Sequence, residues 1–194
     1  MAGERQQVRL AVAAYFGGTL VTADAGTCYQ GGPLNGYGLG TAYPYEVKGI
    51  PDPYYVAGMP AGRGWGAVMG VKISRSTKRD SIGGATSGWR ARHYKVTCEL
   101  VVLSQEPHLE VAGAGLDDLI EAMHALMYAD RTLGTTGGAY AGNPGGRLLI
   151  QAGEGPFGIN DSTMPWQPVQ GDEKHGRYVG EGTVEFECLT MVEA

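Results

Sequence analysis

Four groupings of residues have types and spacing that could do chemistry. The first is Gly84-Ala-Thr-Ser87-Gly88, where a serine among small residues resembles a nucleophile elbow. It lacks the glycine two places before the serine that permits the sharp turn, and the segment after it alternates like a strand where an elbow needs a helix. The second is Asp117, Asp118 and Glu121, carboxylates that could pair for acid–base work. Their spacing places them on one face of an amphipathic helix, the usual pattern of a solvated acidic face. The third is His93 and His124, which fall on polar faces of their elements, with no H-x-x-x-H, H-E-x-x-H or C-x-x-C near them. The fourth is the pair of glycine-rich runs Gly36-Tyr-Gly38-Leu-Gly40 and Gly62-Arg-Gly64-Trp-Gly66. Neither joins a strand to a helix as a phosphate cradle must, and no Walker loop occurs. The sequence therefore predicts no catalytic residues, no metal and no cofactor.

What remains are charged and aromatic groups suited to contacts between proteins. Lys72, Arg75, Lys78 and Arg79, then Arg90, Arg92 and Lys95, bracket the Gly83-Gly84 turn and would line one hairpin. They could meet nucleic acid, or the acidic helix face at Asp117, Asp118 and Glu121 in another copy. The net charge of −5 favours the second, since nucleic-acid affinity rests on neutralising phosphates. Tyr43, Tyr45, Tyr54 and Tyr55 lie in a Gly-, Pro- and Tyr-rich stretch and have the amphipathic character enriched at interfaces.

These groups need a scaffold, and the chain has the means to build one. Its 194 residues suit one domain, its 43% hydrophobic content suits a real core, and its 18% charged content is too low for a disordered chain. Glycine is in excess, with 33 residues gathered in turn-like segments. No stretch reaches the run of about 18 apolar residues that would span a membrane, and the first residues do not read as an export signal. Cys28, Cys98 and Cys188 are odd in number and far apart, which fits a reducing compartment. Cys98 and Cys188 fall on apolar strand phases, where buried thiols are expected.

Apolar periodicity predicts a helix over 4–16 with a stripe of Val8, Ala11, Val12, Tyr15 and Phe16, ended by Gly17-Gly18. A weak strand signal follows at Leu20-Val21. Residues 28–66 show no periodicity and read as an inserted loop, either an arm that orders against a neighbouring subunit or a flexible surface loop. Alternation resumes at 66–76 and at 92–103, with Tyr94, Val96, Cys98, Leu100 and Val102 on the buried face. The strongest helix spans 113–128, with Leu116, Leu119, Ile120, Met123, Leu126 and Met127 opposite the acidic residues. Ala129-Asp-Arg-Thr-Leu-Gly134 closes it. A short strand at 147–151, a Pro/Gly-rich connection over 154–180 and a strand at 183–192 complete the chain. The sum is a single α+β domain over 1–194: a mostly antiparallel sheet, an N-terminal and a central helix on one face, and a loop or arm insertion at about 28–66.

In this order the elements resemble a known family. A helix of the type Val8-Arg-Leu-Ala-Val-Ala-Ala-Tyr-Phe16 precedes a variable loop. Then come Arg79-x-x-x-Gly83-Gly-x-x-x-Gly88-Trp-x-x-x-x-Tyr94-x-Val, the amphipathic helix, Ala129-Asp-Arg-Thr-Leu-Gly and a valine-rich terminal strand. The pattern, over roughly 4–20 and 66–192, is similar to the tail terminator proteins of long-tailed bacteriophages, especially those infecting actinobacteria. The resemblance implies a non-enzymatic virion subunit, assembled in the host cytoplasm and located in the tail or neck. It implies a homo-oligomeric ring, a hexamer, that stops tail tube polymerisation and joins the tube protein to the head–tail connector. Genomic DNA would pass through its lumen without specific binding, and no membrane is involved. Other neck components and the tail tube protein stay open as readings within the same class. A small ligand-binding module or enzyme using the Tyr-rich loop, or a nucleic-acid binder using the basic hairpin, stays open outside it.

Overall fold

The computed structural model describes residues 4–23, 26–47, 50–79, 89–134, 147–150, 159–169 and 176–193, with residues 4, 23, 75–79, 89–92, 147–150 and 189–193 as backbone. The described residues form helix α1 (Glu4–Gly17), strands β1 (Gly18–Ala23), β2 (Gly26–Gly31), β3 (Leu39–Tyr43), β4 (Trp65–Arg79) and β5 (Trp89–Gln105), helix α2 (Leu109–Ala129), and strands β6 (Arg147–Ile150), β7 (Asn160–Pro168) and β8 (Arg177–Glu193). The strands make one sheet in the order β1-β2-β3-β4-β5-β8-β6, with β7 also paired to β8. Every pairing is antiparallel except β3 with β4. The architecture is α+β, as the alternation and helical periodicities predict.

The long strands β4, β5 and β8 form the spine. Val71 lies opposite Cys98, and Cys98 opposite Val184, so the apolar phases of the three strands stack on one face. Both helices cover that face. α1 inserts Val8, Val12 and Phe16, spaced to share one side of a helix, and α2 inserts Leu116, Leu119, Ile120, Met123 and Met127. The Tyr15 hydroxyl donates to the Leu126 carbonyl at 3.0 Å and ties the helices together.

The predicted insertion at 28–66 is corrected by the structure. It contributes most of β2 and all of β3, and its Cys28, Tyr43 and Tyr55 form a second buried cluster with Val68 of β4 on the sheet face away from the helices. Two glycines make this possible. A Cβ on Gly40 or Gly66 would collide with the Tyr55 carbonyl group, so the chain at 54–55 can lie against the strands only over glycine. A register shift between Leu39 and Thr41 lets β3 send Leu39 and Ala42 to the helix side and Tyr43 to the other.

The connection predicted over 154–180 is corrected in the same way, since it contains β7. Its prolines argue against a strand, but β7 is an edge strand with a register shift between Met164 and Gln167, which removes Pro165 and Trp166 from the ladder. Helix α2 starts at Leu109, earlier than its periodicity suggests, because Pro107 opens a 3-10 turn, Glu106–His108, that feeds directly into it.

Candidate functional site

Each group of candidate residues has a distinct place. Arg79, Arg90 and Arg92 sit at the end of β4 and the start of β5, where both strands are paired and β5 also pairs with the end of β8. Arg79 is registered opposite Ala91, Arg92 opposite Lys78 and Thr190, and Arg90 opposite Val192. The sheet thus concentrates the basic positions of two chain segments on adjacent strands. The turn containing Gly83-Gly84 and Ser87 lies outside the described residues.

Asp117, Asp118 and Glu121 are exposed on the outer side of α2. Among the described residues no ion pair engages them. His124, expected to be solvated, is instead half-buried, with Nε2 3.4 Å from Asp161 of β7. His93 is half-buried on β5.

The tyrosines divide. Tyr43 is fully buried and Tyr55 nearly so, while Tyr45 and Tyr54 are half-buried. The interface role predicted for Tyr43 is corrected, since its ring is wholly core of the subunit, while Tyr55 is largely core and keeps only a small surface at a cleft. Tyr43 stacks obliquely on Tyr45 at 5.5 Å between ring centres. Burial pushes the Tyr43 hydroxyl's pKa well above its ordinary value, with the nearby Cys28 and tyrosines adding to it.

On the helix-free face the strands carry paired charges. Lys72 bonds Glu99 and lies 3.7 Å from Glu46, and Lys95 lies 2.7 Å from Glu185, which also accepts from Thr97 at 3.1 Å. Hydrogen bonds from Lys95 and Thr97 hold the Glu185 carboxyl below the usual range. Such half-exposed pairs align strands more than they stabilise them.

The feature that sequence reasoning missed lies at the end of the sheet where β4 begins. A cleft of about 570 Å³ opens between the loop at 59–64, Tyr55 and Val56, the last residues of β5, His108 and Arg177. Trp65 walls it, and the Arg63 guanidinium lies 4.3 Å from the centre of the Trp65 ring, a cation–π contact. Arg63 also donates to the Gly36 carbonyl at 3.3 Å. Behind the loop a second hollow, bounded by Tyr37, Val111 and Asp118, shares Arg63 and Trp65 with the first. Arg177 is ion-paired to Asp52. The sequence signal was present in Gly62-Arg-Gly64-Trp-Gly66: glycines flank an Arg and a Trp that must reach a crowded wall. A Cβ on Gly38 or Gly115 would strike the Trp65 ring, and one on Gly64 the His108 ring.

Among the described residues no cluster of three metal-ligating side chains occurs, and no helix is long and apolar enough to cross a membrane. No family model matches the chain, and no curated protein matches it in sequence.

Proposed function

We propose that this chain is a structural subunit of a phage virion, a tail terminator. Copies assemble head to tail into a ring that ends the tail tube and meets the head connector. The role is non-enzymatic and needs no cofactor. One observation carries the reading. The end of β4, the start of β5 and the end of β8 pair into one arm of the sheet with Arg79, Arg90 and Arg92 among its positions, while α2 presents an exposed acidic face with no ion pair among the described residues. A ring built head to tail needs two different, complementary patches on each subunit, and these have opposite charge. The lumen would pass DNA without holding it, in keeping with the acidic balance of the chain.

Native mass measurement and negative-stain imaging test this directly. Rings, free or capping tubes, are the expected outcome. The double substitution Arg79→Glu with Arg92→Glu is expected to abolish them, and adding Asp117→Lys with Glu121→Lys to restore them in part. Rings that survive the first double substitution unchanged would remove the arm from the interface. Imaging with purified tube protein separates a terminator, which caps tube ends, from another neck ring, which does not.

A further inference from the structure

We infer that the cleft beside Trp65 binds a peptide segment of a partner protein in which an acidic residue is flanked by apolar ones, with Arg63 recognising the carboxylate. Of the two arginines that line the cleft, Arg177 has a carboxylate partner in Asp52, whereas Arg63, although half-buried, has none among the described residues. Burial without such a partner lowers its pKa, because the charged form has lost hydration and gained no anion in exchange. Stacking on Trp65 fixes the plane of the guanidinium, and the bond to Gly36 uses only one of its five donors. A carboxylate is the group that fits the remaining fork. The start of α2 just after His108 adds the positive end of a long helix beside the cleft.

The rest of the cleft suits an apolar neighbour. Tyr55, Val56, Met59 and Leu103 line it, and Val56 keeps 40% of its surface exposed with nothing to cover it. The volume lies within the roughly 300–1,000 Å³ range of ordinary binding clefts. Its rim residues Pro53, Pro60, Ala61 and Gly62 are all exposed, so an occupant stays at the surface and can continue beyond the cleft as a polypeptide does. The site is complete on one subunit, so it stands or falls independently of ring formation.

The test compares acetyl-Leu-Glu-Leu-amide with acetyl-Leu-Gln-Leu-amide, which differ only in charge, by titration followed at the Trp65 indole N–H in heteronuclear NMR. The acidic peptide is expected to bind about 10-fold more tightly. That preference should disappear in Arg63→Gln and shrink at about 0.5 M salt. Val56→Asp, at a position 40% exposed, should weaken the acidic peptide while the rest of the spectrum stays that of the folded protein. Sodium acetate is expected to compete far less well than the peptide. Equal affinity for the two peptides, a preference that survives Arg63→Gln, an unperturbed Trp65 signal, or acetate binding as well as the peptide would each overturn the proposal.

Discussion

Asp130 shows how one side chain can end a helix. One carboxylate oxygen accepts from the Thr132 backbone N–H at 2.9 Å and its hydroxyl at 2.6 Å, and the other accepts from the Gly134 N–H at 2.8 Å. The turn holds Leu133 at φ 49°, a conformation that costs an L-residue about 1 kcal/mol, and offsets it by burying the Leu133 side chain in the core. Asp130→Ala is expected to lower unfolding free energy by about 1–2 kcal/mol, read from denaturant melts, with Asp130→Asn in between. The hydrogen bonds hold the Asp130 carboxyl below its ordinary pKa. Their contribution is therefore present above the unfolded value near 3.8 and lost as pH falls through the folded one. The stop at Ala129-Asp-Arg-Thr-Leu-Gly134 was legible in the sequence. Its cause was not, because one carboxylate bonding three donors depends on a backbone path that residue order does not state.

At the scale of elements, legibility followed periodicity. β4, β5, β8 and α2 were readable because each has one apolar face against one core. β2, β3 and β7 were not, for three different reasons. β2 is short, β3 changes face at a register shift, and β7 is an exposed edge strand with Pro165 at a bulge and Pro168 at its end. The Trp65 cleft was hidden because its wall is built from residues within 52–65, from 103–108 and from Arg177, which the β4–β5 and β5–β8 pairings bring together. That wall makes a test of element packing. Replacing a helical glycine by alanine ordinarily gains about 1 kcal/mol. Gly115→Ala in α2 is expected instead to destabilise by about 1–3 kcal/mol in thermal or denaturant melts, because its Cβ would strike the Trp65 ring. A stabilised Gly115→Ala protein would show that α2 does not rest on Trp65.

The whole molecule buries proton-bearing groups on both sides of its sheet. Cys98 and Cys188 on the helix side and Cys28, Tyr43 and Tyr55 on the other all have pKa values raised by burial, as do Tyr15, Tyr29 and Tyr45. Above the ordinary values of 9.0 for cysteine and 10.0 for tyrosine, the unfolded chain releases these protons and the folded one keeps them. The unfolded state then binds fewer protons, so stability falls as pH rises. Denaturant midpoints are expected to be level below about pH 8.5 and to decline steadily above it. Tyr43→Phe should make that decline shallower, and at neutral pH it should change stability by less than about 1 kcal/mol, since the Tyr43 hydroxyl has no hydrogen-bond partner among the described residues.

The place of β8 has a consequence for synthesis. It follows every other strand among the described residues, yet it lies inside the sheet, with β5 on one side and β6 and β7 on the other. While the polypeptide is still emerging from the ribosome, β5 can pair with β4 but keeps a second open edge over its full length. A nascent chain in that state offers a long unpaired strand to its neighbours. Closure must wait for residues 177–193, and it depends on contacts far apart in sequence, which form slowly. Loss of the last strand would therefore leave an unclosed intermediate rather than a trimmed subunit.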